Sequence, residues 1–145
     1  MNQVAILYPV FVQVLLTFIV AVLLAVARTR AIPALRKPGG SSDLALGRAP
    51  WPEDAAKRGN SYISQFELPV LFYAVVAFAL ITKGADLLMV ILAWLFALSR
   101  IVHAAIHIGP NRIRWRSPVF GFGIAVLMAM WVKLFVHVIT RGVLV

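Results

Sequence analysis

The chain contains no cysteine. That excludes disulfides and cysteine metal sites, and any thiol chemistry here requires a thiol brought in by a ligand. Acidic residues are nearly as scarce. Five Asp and Glu stand against 14 Lys and Arg, a formal charge of +9. Only 13% of the 145 residues are charged, while 62% are hydrophobic. A soluble domain carries about 25% and 45–50% respectively. A water-soluble globule of this length could not hide that much apolar surface, and the mean hydropathy is +0.93. Disorder, collagen and coiled coil are excluded by the same composition. The chain therefore reads as one integral membrane domain over 1–145, all-α. In a soluble protein the basic excess would point to nucleic acid; beside membrane segments it reflects cytoplasmic loops and anionic lipid. No nucleic-acid partner is expected.

Four apolar segments are long enough to span a bilayer. The first run, Val4 to Ala27, makes a helix of about 36 Å. Ala25-Val26-Ala27 resembles a cleavage site, but no positive charge precedes the run and it exceeds a signal core of about 7–15 residues. The expected spans are 4–28, 55–82, 87–108 and 117–140, with a basic loop over 28–54 that holds Pro38-Gly39-Gly40-Ser41-Ser42. Pro52-Glu53-Asp54 opens the second span with acids in its first turn. Lys83-Gly84-Ala85-Asp86 and Gly109-Pro110-Asn111 supply the breaks. Seven Lys or Arg flank the first connection, counting Lys57 and Arg58, three lie in the third, and only Lys83 lies in the second. The first and third connections are thus expected on the cytoplasmic side, with both termini outside.

Spans two and three are polar at one end. The clean stretch Leu68 to Ile81 is only about 21 Å long, so Ser61 to Glu67 must enter the membrane. Leu87 to Ser99 holds no charge, and then come Arg100, His103 and His107. Both polar halves fall in the same leaflet. Asn60, Ser64 and Glu67 share one helix face, and Arg100, His103 and His107 share another. Stripes that avoid lipid must face each other or a cavity. Glu67 and Arg100 lie at matched depth, which predicts an ion pair inside the bundle. Pro69 is expected to bend the second helix beside Glu67. Lys133 and His137 fall near the opposite interface and are expected to reach headgroups. Gln13 and Thr17 are expected to bond across helices, and Trp51 and Trp115 to anchor at the interface. His103 and His107 at i, i+4 could share a metal ion with Glu67, but Arg100 is the expected partner of that carboxylate, so no metal is expected. Intramembrane ionisable groups also mark ion paths, which keeps a channel or transporter open.

The segment Gln65-Phe66-Glu67-Leu68-Pro69-Val70-Leu71-Phe72-Tyr73 resembles the second-helix motif of the MAPEG superfamily, membrane-associated proteins of eicosanoid and glutathione metabolism. The resemblance extends to Arg100-x-x-His103-x-x-x-His107-x-Gly109, to Arg112 and to Arg116-Ser117, and takes the form of a divergent, bacterial-type member. It implies a four-helix bundle assembled as a homotrimer in the bacterial inner membrane. It also implies a glutathione site between subunits near the cytoplasmic face, approached from the bilayer by a lipophilic small molecule. Carried over, Asn60, Ser64, Glu67, Arg100, His103 and His107 would bind glutathione. Arg116, or Arg114 by a slightly different spacing, would stabilise the thiolate, with Ser117 beside it. Asn60 and Ser64 depart from the Arg and Asn of the eukaryotic enzymes. The implied activity is a glutathione-dependent transferase or peroxidase. The alternative is a non-catalytic protein that binds a lipid or small ligand in the same bundle.

Overall fold

The first long helix and the short turn that leads into it bury Ile6, Pro9, Gln13, Val20, Leu24 and Ala27, a seam stepping by threes, fours and sevens along one side. Its other faces leave Phe11, Leu15, Phe18 and Val22 exposed, as a lipid-facing surface requires. The computed structural model describes residues 3–35, 50–110 and 112–142. After a short 3-10 turn, Gln3–Ile6, come α1 (Leu7–Leu35), α2 (Glu53–Ser64), α3 (Leu68–Ile81), α4 (Leu87–Ile108) and α5 (Ile113–Gly142). All described regular structure is helical. Four stretches are long and apolar enough to cross a membrane, α2 and α3 together forming one of them.

Helix α1 runs through Arg28 and Arg30, which stay exposed. The expected loop thus loses its first residues to helix. Arg36, Lys37, the Pro38–Ser42 turn, Arg48 and Asn111 lie outside the described residues. Helix α5 likewise begins ahead of the expected start at 117 and takes in Arg114 and Arg116. Pro118 lies inside it, where its missing N–H leaves the Arg114 carbonyl without a helical partner.

The second span is not one bent helix. It stops at Ser64, turns through 65–67 and restarts at Leu68. Pro69 sits in the first turn of α3, where its missing N–H has no helical partner to lose. Proline therefore starts a helix here instead of kinking one. The restart is held from behind by Gln13 of α1, whose Nε2 donates to Gln65 Oε1 at 3.0 Å. Gln65 in turn donates to the Ser61 carbonyl at 3.2 Å. Thr17 hydrogen-bonds to the Gln13 carbonyl of its own helix at 3.0 Å and to the Tyr73 side chain across the bundle.

Helix α4 is the central post, packing on α1, α2 and α5. Asp86 caps it, accepting from the Met89 N–H at 2.9 Å. Its inward stripe of Met89, Ala93, Phe96 and Ala97 meets Phe72, whose ring stacks on Phe96 with centroids 4.6 Å apart. In lipid, such close packing, and not water exclusion, holds helices together.

At the far end, Lys133 and His137 turn out to be tied to protein groups. Lys133 Nζ lies 2.7 Å from Asp86 Oδ2, and His137 Nε2 lies 3.0 Å from the Thr82 carbonyl. The expectation that both reach headgroups did not include the turn at 82–86, which supplies these partners. A Cβ on Gly84 would lie 2.8 Å from the His137 ring, so glycine is what lets α5 close on this turn. Trp51 stands under Arg28, whose guanidinium carbon is 5.0 Å from the ring centre.

Candidate functional site

The polar halves of α2 and α4 meet the first turns of α5 around a cavity of about 430 Å³. Asn60, Ser64 and Glu67 line one wall, His103 and His107 a second, Arg116 and Ser117 a third. This volume lies within the range of about 300–1,000 Å³ typical of small-molecule sites. Of the nine residues singled out from sequence, seven line this space. Arg100 lies behind it, and Arg114 points elsewhere, fully on the exposed side of α5. The start of α5 at Ile113 fixes that choice. Arg116 falls on the face toward α4 and Arg114 does not.

Arg100 is 1% exposed. Its Nη2 donates to Ser64 Oγ at 2.6 Å and to the Ser64 carbonyl at 3.2 Å. Its Nε and Nη1 have no hydrogen-bond partner among the described residues. The expected ion pair with Glu67 is absent among those residues. The physical reason is the break after Ser64. With 65–67 in a turn, Glu67 leaves the helical register that aimed it at Arg100, and its side chain is exposed at the cavity rim. The last intact turn of α2 presents Ser64 instead. The hydroxyl and the carbonyl freed by the helix end together receive the guanidinium.

Two histidines of α4 hold Arg116. Its Nη1 donates to His107 Nε2 at 3.2 Å, and His103 hydrogen-bonds its backbone. A guanidinium can only donate, so His107 Nε2 is the acceptor and the ring proton is assigned to Nδ1. His103 is 5.7 Å from His107, centroid to centroid. It is 5.4 Å from Phe120, which also lies 5.6 Å from the Arg100 guanidinium carbon. Phe120 is a cavity residue that the sequence reading missed. Its position four residues after Arg116 on one helix face was the available signal. Ile63 was missed as well, for it carries no polar atom to mark it. Among the described residues no group of three His, Asp or Glu is placed to hold a metal ion.

Four membrane-length helices around a polar layer near one end define an integral membrane helix bundle. The MAPEG family matches residues 6–136, and the chain belongs to that family. No curated protein and no solved structure matches it.

Proposed function

We propose that the cavity binds an acidic thiol of the glutathione type and promotes its addition to a lipophilic electrophile. The observation that carries this reading is Arg116, held at the cavity wall by His107 and flanked there by Ser117. A thiol of pKa about 8.5 is mostly protonated at neutral pH, and an adjacent guanidinium favours the thiolate. The donor set fits such a ligand. Asn60, Ser64 and Ser117 can donate to carboxylates, and Glu67 can receive an ammonium group. No cysteine in the chain competes for the electrophile. In this addition the thiol proton leaves to solvent through the cavity mouth, the thiolate forms the carbon–sulfur bond as an activated carbon–carbon π bond of the electrophile opens, and the carbanion so formed takes a proton from solvent, so that no group leaves. Arg116 stabilises the sulfur charge before attack. With a hydroperoxide as the second substrate, the same thiolate would attack its O–O bond to give the alcohol and a sulfenic acid, which a second molecule of the thiol converts to disulfide and water.

Family membership supports a homotrimer with the cavity at subunit boundaries. The Lys and Arg bias of the connections supports cytoplasmic basic loops and outward termini in a bacterial inner membrane. A second reading, binding of a lipid or small ligand without turnover, is favoured by Asn60 and Ser64. They supply fewer charged donors than the family's enzymes and leave affinity no better than about millimolar. Titration calorimetry of the purified protein with glutathione, followed by a conjugation assay with a lipophilic electrophile, separates the readings. Saturable heat with turnover supports the enzyme, and heat without turnover supports the ligand-binding protein. No heat at all at about tens of millimolar, an order of magnitude above that affinity, overturns the glutathione-dependent enzyme and leaves the binding of a lipid or another small ligand.

A further inference from the structure

A second space lies on the exposed, apolar side of α4 and α5, away from the polar cavity. It is a crease of about 460 Å³ lined by Leu95, Leu98 and Val102 of α4 and Trp115, Val119 and Phe122 of α5. Its floor is closed where the two helices touch. A Cβ on Gly123 would lie 3.0 Å from Ser99 Oγ, so the absent side chain permits that contact. The Ser99 hydroxyl is itself satisfied by the Phe96 carbonyl at 2.7 Å. The crease therefore offers almost nothing polar to an occupant along its length.

One end is different. Arg112, Trp115, Val119 and Phe122 fall at i, i+3, i+7 and i+10, a single stripe that begins with a cation. Arg114 stands four residues before Pro118, another lining residue. Both arginines are exposed, and neither has a carboxylate partner among the described residues. Glu53 pairs with Lys57, Asp54 with Arg58 and Asp86 with Lys133, while Glu67 faces the other cavity. Trp115, exposed as well, separates the charged end from the apolar floor, the position of an interfacial aromatic.

We infer that this crease is a binding site for one anionic phospholipid, its phosphate at Arg112 and Arg114 and one acyl chain along α4 and α5. The chemistry is complementary at each level. Net negative headgroup meets unneutralised guanidinium, the glycerol region meets Trp115, and the hydrocarbon meets leucine, valine and phenylalanine. Basic pockets between membrane helices take anionic headgroups for the same reason. A zwitterionic lipid fills the crease but lacks the net charge to hold its end. The site does not depend on the thiol chemistry proposed above, because Arg116 and His107 are not among its residues.

The test is native mass spectrometry of the full-length protein in detergent with added phosphatidylglycerol or phosphatidylcholine. Wild type is expected to retain phosphatidylglycerol in preference to phosphatidylcholine. The double variant Arg112→Gln/Arg114→Gln is expected to bind phosphatidylglycerol about thirtyfold more weakly, from ~1 kcal/mol per arginine at tenfold per 1.4 kcal/mol. Both substitutions are on exposed positions, so melting in lipid-free detergent should match wild type. Val119→Trp fills the crease and is expected to remove the retained lipid with the arginines intact. Equal retention of both lipids, or unchanged phosphatidylglycerol binding in either variant, overturns the proposal. So does a Val119→Trp protein that loses oligomeric state but keeps its lipid, for the crease would then belong to a second copy of the chain.

Discussion

Arg116 donates from Nη1 to His107 Nε2 at 3.2 Å, so a histidine nine residues earlier in the chain fixes where a guanidinium stands in the cavity. The bond spans the short link between α4 and α5. It gives the arginine one orientation where a free side chain would sample many. Arg116→Ala is expected to lower any conjugation rate about 10²–10³-fold, the loss seen when one donor to a developing anion is removed. His107→Leu keeps the arginine but removes the 3.2 Å acceptor that orients its Nη1, and should lower the rate by about ten- to a hundredfold. His107→Gln retains an acceptor and should recover part of that loss. The measurement is steady-state conjugation, with kcat and KM separated.

Ser64, and not Glu67, is the partner of the buried Arg100 in the fold. Ser64→Ala removes the 2.6 Å acceptor and should cost about 1.5–3 kcal/mol, the range for a hydrogen bond to a charged group. Glu67→Gln changes an exposed side chain and should stay within about 0.5 kcal/mol. Thermal melting in detergent checks the contrast. A Glu67→Gln protein that melts as low as Ser64→Ala would contradict it.

The four spans and the polar layer were legible because hydrophobic length and the rarity of charge are one-dimensional signals. The partners within that layer were not. Matching Glu67 to Arg100 by depth assumed that α2 and α3 share one helical phase, and the turn at 65–67 resets it. The proline was visible, but whether Pro69 kinks a helix or opens one depends on Gln13 and Gln65, 52 residues apart in sequence and 3.0 Å apart in space. The choice between Arg114 and Arg116 stayed open for a related reason. Two arginines two residues apart face different ways on a helix, and only its starting point says which one faces α4. Lys133 and His137 looked like headgroup ligands because their partners, Asp86 and Thr82, belong to a connection whose path spacing does not reveal.

The Asp86–Lys133 pair at that connection gives a pH signature. Burial pushes the Asp86 carboxyl up, but hydrogen bonds from Lys133 and the Met89 N–H, with the charges of Lys133 and His137, outweigh it. The group is held below its ordinary value of 3.8. A lowered carboxylate stabilises the fold above its unfolded pKa of about 3.9, and that stability is lost as pH falls through the lower native value. Asp86→Asn keeps a helix cap and removes the charge. It should lower the melting temperature at neutral pH, by less than about 1 kcal/mol for so exposed a pair. The gap should close as the pH is brought below about 4. A gap that persists unchanged into acid would assign the effect to the cap alone.

The most direct test of the account is the ultraviolet absorbance of the thiolate when the purified protein is mixed with glutathione at neutral pH. The wild type should develop a saturable thiolate signal, half-maximal near about a millimolar. Arg116→Ala should lose the signal while calorimetry still records ligand binding, because the arginine acts on the sulfur charge. Absence of any thiolate signal in the wild type at about ten times that concentration, or an undiminished signal in Arg116→Ala, would contradict it.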